Sequence, residues 1–110
     1  MEIQFQTTKL ERHLTHASML RRKYGALAPK IYQRIAELRA MRNLDVARSM
    51  PALGCYELAG LRSGQLAIRV SPNYRMLIRP CQQPPPVKED RGLDWSLVDC
   101  IRVLELVDYH

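Results

Sequence analysis

Metal-binding and disulfide signals are sparse in this chain of 110 residues. Its three cysteines, Cys55, Cys81 and Cys100, are odd in number, far apart and without C-x-x-C spacing. Its three histidines, His13, His16 and His110, complete no zinc set. Reduced, mostly buried thiols are expected, with no metal site and no cofactor. Hydrophobic runs are short, and none approaches the roughly 18 apolar residues of a membrane-crossing helix, so no membrane partner is expected. The opening segment MEIQFQTTK sets an acid before any base and lacks an apolar stretch ending in small residues. That pattern predicts no signal peptide, hence a cytoplasmic protein.

Acid is scarce as well. Seventeen Lys and Arg stand against eleven Asp and Glu, for a formal charge of +6, and thirteen of the seventeen bases are arginine, whose planar fork suits phosphate. The imbalance is uneven along the chain. Residues 9–48 hold ten bases and three acids, residues 58–82 hold four arginines and no acid, and residues 84–110 hold three bases and six acids. A polyanion would meet the first two segments. The hydrophobic share of 46% is ordinary for a globular protein. A chain of this length buries roughly 65% of its unfolded surface, enough for a core without staples. One domain spanning residues 1–110 is expected.

The pattern of apolar residues changes period along the chain. Ile3 and Phe5 alternate with polar neighbours, as in a short half-buried strand. Thr8 and Glu11 have capping-box spacing, and Leu10, Leu14, Ala17 and Tyr24 recur at helical spacing up to Gly25. Pro29 suits a first helical turn, and Ile31, Ile35, Leu38 and Met41 or Arg42 trace a second apolar stripe. Two antiparallel helices are therefore predicted. After Cys55 come "CYELAG", "QLAIRV" and "YRMLIRP", three short strands in a meander.

Register follows from the cost of burying arginine. With an odd loop at Ser71-Pro72-Asn73, the residues Leu66, Ile68, Val70, Tyr74, Met76 and Ile78 share one face, and Gln65, Ala67, Arg69, Arg75, Leu77 and Arg79 share the other. A two-residue loop would bury arginine beside Ile68 with no partner. An arginine-bearing sheet face opposite the helices is the prediction. Residues 81–95, with three consecutive prolines and "KEDRGLDW", read as an inserted loop pinned by Trp95. Val98 to Val107 reads as an inner strand covered on both faces, which carries Asp108, Tyr109 and His110 to one rim of the sheet.

Such a triplet beside arginines contains the parts of a metal-free RNA-cutting centre. A base removes the 2′-hydroxyl proton, an acid protonates the leaving 5′-oxygen, and guanidinium groups hold the added negative charge. Strand alternation puts Asp108 and His110 on one side and Tyr109 on the other unless the strand bends.

The order of elements, together with Gly60-x-Arg62-x-Gly64, Asn73-Tyr74-Arg75 and the final V-x-D-Y-H, resembles HigB-type toxins of the RelE/ParE superfamily over nearly the whole chain. "KEDRGLDW" resembles an insertion in a longer version of that family. The resemblance implies an α+β, RelE-like fold: a short N-terminal strand, two antiparallel helices, then an antiparallel sheet of three to four strands. It implies the toxin of a type II toxin–antitoxin pair, an endoribonuclease that cuts translated mRNA on the ribosome. The implied partner is a helix-turn-helix antitoxin, with operator DNA reached only through the complex of the two. By position, Arg75 falls on the family's phosphate-stabilising arginine, Arg62 on its loop arginine, and Asp108, Tyr109 and His110 on its terminal catalytic group. Arg69 and Arg79 join the RNA-binding set from the predicted sheet face alone. Where family members often read H-P-L-K-G, this chain has Tyr56-Glu57-Leu58-Ala59-Gly60, so a histidine and a lysine are missing. Tyr56 is the candidate substitute donor or stacking surface. One lost cation is worth on the order of a hundredfold in rate, so weakened activity is expected. The alternative is a non-catalytic module of the same fold, either a gyrase inhibitor or a degenerate toxin that binds DNA with its antitoxin.

Overall fold

A computed structural model describes residues 1–109. Strand β1 (Glu2–Phe5) leads into helices α1 (Thr8–Thr15), α2 (Ala17–Tyr24) and α3 (Ala28–Ala40). Short 3-10 turns over 44–53 then lead to strands β2 (Tyr56–Glu57), β3 (Leu66–Arg69), β4 (Tyr74–Pro80) and β5 (Cys100–Asp108). The five strands form one sheet in the order β1-β5-β4-β3-β2. β5 is parallel to β1 and every other neighbouring pair is antiparallel. The α+β architecture is the predicted one.

The first helix differs from the sequence reading. The N-cap is Thr7, whose side chain accepts from the Leu10 amide at 3.0 Å, and the backbone leaves helical geometry at His16 (φ −93°, ψ 115°). The expected single helix is thus divided into α1 and α2. Each half buries one leucine: Leu14 of the predicted stripe in α1, and Leu20, outside that stripe, in α2. Gly25 ends α2 at φ 54°, a backbone that side chains rarely adopt.

The odd-loop register is present. Leu66 pairs with Ile78, Ile68 with Met76 and Arg69 with Arg75, so Ser71-Pro72-Asn73 close the hairpin between Val70 and Tyr74. Leu66, Ile68, Met76, Ile78, Ile101 and Val103 are fully buried and pack with Ile31, Ile35 and Leu38 of α3 in one core cluster. The arginines stand on the opposite face. Ala67 and Leu77 are also fully buried on that face.

Two expectations are corrected here. Cys81 and Cys100 form a disulfide, with Cα atoms 5.4 Å apart, and Cys55 alone is a free thiol. The antiparallel β4–β5 ladder sets Cys81 opposite Cys100, and the Cys81 amide donates to the Cys100 carbonyl at 3.0 Å. A separation of 19 residues hides that juxtaposition from any spacing rule. The second correction concerns β5. It lies inside the sheet only from Cys100 to Val103, where β1 pairs with it, and among the described residues no layer of helices covers its outer face. A bulge near Leu77/Ile78 resets the β4–β5 register, leaving Leu104 without an opposite residue on β4.

The segment 81–95 is anchored at both ends. Inside it, a bridge joins Val87 to Leu93, and the disulfide ties its base. Trp95 is buried, donates from Nε1 to a Glu57 carboxylate oxygen at 3.1 Å, and lies beneath the Arg48 guanidinium, 4.0 Å from the ring centroid. It pins the loop as the sequence predicts.

Candidate functional site

Arginines gather on the outer sheet face because three strands each contribute positions of the same parity. Arg69 of β3 stands directly opposite Arg75 of β4, which in turn stands opposite Val107 of β5. Further along, Arg79 of β4 stands opposite Arg102 of β5. Between these rows lies a third: Tyr56, Ala67, Leu77 and Glu105. Arg62 reaches this middle row from the β2–β3 connection, 3.6 Å from the Glu105 carboxylate and 3.2 Å from Gln65 Oε1. Both partners of that ion pair are about half exposed, so it contributes little to stability.

Arg75 is held by the turn that precedes it. Its Nη1 donates to the carbonyls of Ser71 (2.7 Å), Tyr74 (3.1 Å) and Pro72 (3.3 Å). Its guanidinium carbon lies 5.8 Å from the centroid of the Tyr109 ring. The Tyr109 amide donates to the Asn73 carbonyl at 2.5 Å, fixing the strand end against the same turn. Arg75 and Tyr109 are therefore brought together. Asp108 pairs in register with Tyr74, whose parity is that of the core-facing residues, so alternation puts it on the other face from Arg75. His110 lies outside the described residues.

The remaining predicted residues divide by row. Arg69 joins Arg75 at the turn end, and its carbonyl is held by Arg34 Nε at 2.7 Å. Arg62 and the exposed Tyr56 belong to the middle row. Arg79 is four residues along β4 from Arg75, about 13 Å at strand rise, and so belongs to a separate part of the face. Among the described residues, no three His, Cys, Asp or Glu side chains cluster to hold a metal ion.

Sequence reasoning passed over two arginines. Arg102 was hidden by reading β5 as buried on both sides; its flanking residues, Ile101 and Val103, are fully buried, and that alternation was the available signal. Arg34 lies within the apolar stripe of α3 and is 4% exposed. It donates to Glu37 Oε1 (2.8 Å), the Ala52 carbonyl (3.0 Å) and the Arg69 carbonyl, joining α3, the 44–53 turns and the end of β3. An arginine at i+3 from Ile31 inside an otherwise apolar stripe was its signal.

No protein-family description matches this chain, and no curated protein matches it. Among solved structures, the YoeB/ParE toxin from Agrobacterium tumefaciens is similar over 100% of this chain and 99% of its own, with a TM-score of 0.53 and 13% sequence identity. At that identity the likeness is one of fold alone.

Proposed function

We propose that this protein is the toxin of a toxin–antitoxin pair, of the HigB type, and that it cleaves mRNA on the ribosome. The observation that carries the reading is the meeting of Arg75, Arg69 and Tyr109 at one end of an arginine-bearing sheet face, next to the strand end that leads through Asp108 to His110. The fold shared with a protein described as a toxin supports the same reading.

In the proposed reaction a base takes the proton of an RNA 2′-hydroxyl, and O2′ attacks the adjacent phosphorus. The bond to the 5′-oxygen breaks as an acid protonates that oxygen, leaving a 2′,3′-cyclic phosphate and a 5′-hydroxyl. Arg75 and Arg69 offset the charge that accumulates on the phosphoryl oxygens. The proton acceptor and donor come from the terminal triplet of Asp108, Tyr109 and His110, of which Tyr109 stands on the Arg75 face while Asp108 acts there only through a bend of the strand end. Tyr109, beside Arg75, and Tyr56, on the middle row, offer surfaces for base stacking. The partner that silences this chemistry is a helix-turn-helix antitoxin, and operator DNA is reached through that complex.

A specific observation favours a second reading. The Arg75 Nη1 is already bonded to three carbonyls, which leaves it fewer donors for a phosphate, and Ala59 of the β2–β3 connection adds no cation to the face. The corresponding alternative is a non-catalytic module that inhibits gyrase or represses with its antitoxin. Induction of the protein in cells followed by mapping of mRNA 5′-ends separates the two. Growth arrest with new cuts inside translated messages is expected. Arrest with intact messages would overturn the nuclease assignment.

A further inference from the structure

The β4–β5 register places Arg79 and Arg102 directly opposite each other. Like charges opposed across a ladder repel, and one such pair, Arg69 and Arg75, already stands at the turn end. Two opposed arginine pairs on one face, with a single acid in the row between them, is a charge arrangement that calls for an anion. That acid, Glu105, faces Arg62 at 3.6 Å. The other nearby acid, Glu2, accepts from Gln4 Nε2 at 3.1 Å.

The far pair is also short of acceptors. Arg102 is steadied by Gln4, whose Oε1 accepts from Nη2 at 2.7 Å, while its Nε is shielded from solvent and has no acceptor among the described residues. Arg79, half-buried, makes no hydrogen bond or ion pair among the described residues. A guanidinium pair of this kind, with donors to spare, fits the oxygens of a phosphodiester.

We infer that Arg79 and Arg102 form a second phosphate-binding subsite, which takes a phosphodiester of the same single-stranded RNA whose reacting phosphate lies at Arg75. The inference rests on the proposed function for the identity of the RNA. The four residues from Arg75 to Arg79 span about 13 Å, too far for one phosphate to touch both pairs, so the strand must cross the middle row. That row is fully buried at Ala67 and Leu77 and ends in the exposed ring of Tyr56. An unstacked base between the two phosphates would find that ring, which a duplex, with its bases paired inside, would not use.

The test is the salt dependence of binding by a fluorescently labelled RNA decanucleotide, measured by anisotropy for the wild type and for R79Q, R102Q, R79Q/R102Q and R79K/R102K. Each neutralised phosphate contact lowers the slope of log K against log salt by about 0.7 for a single strand. The double glutamine variant, which loses the one phosphate contact that the pair holds, is expected to lose about 0.7 of slope and bind at least tenfold more weakly at low salt, whereas the double lysine variant keeps the slope. R79Q removes a side chain with no described bond, so it gives a folded variant even where R102Q does not. An unchanged slope in R79Q and in the double glutamine variant overturns the subsite, as does wild-type protein that binds no RNA, or one that prefers duplex DNA of equal length. Cleavage of translated mRNA is measured alongside. Altered slope without cleavage by the wild type leaves the subsite standing and removes the nuclease reading; cleavage with unaltered slopes does the reverse.

Discussion

Arg75 and Tyr109, 34 residues apart in sequence, meet with the guanidinium 5.8 Å from the ring centroid. The contact exists because the Tyr109 amide is bonded to Asn73, in the turn whose carbonyls grip Arg75. The ring and the cation are thus positioned by one short stretch of backbone, and a change in either should be felt at the proposed reaction centre.

Arg75→Ala removes the cation closest to the strand end. A single preorganised charge contributes on the order of a hundredfold to stabilising an oxyanionic transition state. Cleavage of translated mRNA should fall by about that factor while the melting temperature changes little. Quantifying cut sites after induction, with melting curves for the purified variant, checks both. Undiminished cutting would remove Arg75 from the proposed mechanism.

Arg34→Met should destabilise the protein by about 2–4 kcal/mol. The guanidinium satisfies two carbonyls and one carboxylate, and its loss strands groups that had been taken out of water. The Glu37 side chain, 22% exposed, can still reach solvent, which keeps the cost below that of a fully buried pair. Urea denaturation of the two proteins measures the difference, and a loss under about 1 kcal/mol would contradict it.

Reduction of Cys81–Cys100 should lower the melting temperature. The bridge closes a span of 19 residues, and cross-links of that size stabilise by about 3 kcal/mol, chiefly through the unfolded chain. Wild type should melt lower with a thiol reductant than without it, and C81S/C100S should respond to neither condition. Identical wild-type curves would mean that the thiols are not bridged in solution.

Cys55 should resist alkylation. Burial pushes its thiol up to about 12 from an ordinary 9.0, with the Arg48 charge opposing that rise and Glu57 adding to it. The rise of three units lowers the thiolate fraction about a thousandfold near pH 8, and iodoacetamide reacts with the thiolate. The folded protein should be labelled far more slowly than protein in denaturant. Because the folded group holds its proton more tightly, its contribution to stability is full below pH 9 and is lost as pH rises toward 12. Rapid native labelling at pH 8 would contradict the burial.

How much of this was legible follows from the range of each effect. The alternation of Leu66, Ile68, Met76 and Ile78 with Arg69, Arg75 and Arg79 is a local, period-two signal, and burying arginine without partners is expensive enough to select the odd Ser71-Pro72-Asn73 loop from sequence. The arginine-bearing face was fixed in that way. Helical stripes on Ile31, Ile35 and Leu38 were equally local. His16 was harder, since its flanking residues carry helical spacing on both sides and no glycine or proline marks the break.

Sequence by itself therefore determined which side chains share a face, because that depends on neighbours two to four residues away. Tertiary structure alone decided which of them stand opposite each other. The Cys81–Cys100 bridge, the opposition of Arg79 to Arg102 and the separation of Asp108 from Arg75 all depend on how β5 is threaded between β1 and β4, with one bulge resetting the register. That threading is set by packing the whole sheet against α3, a sum of long-range contacts that no short stretch of residues encodes.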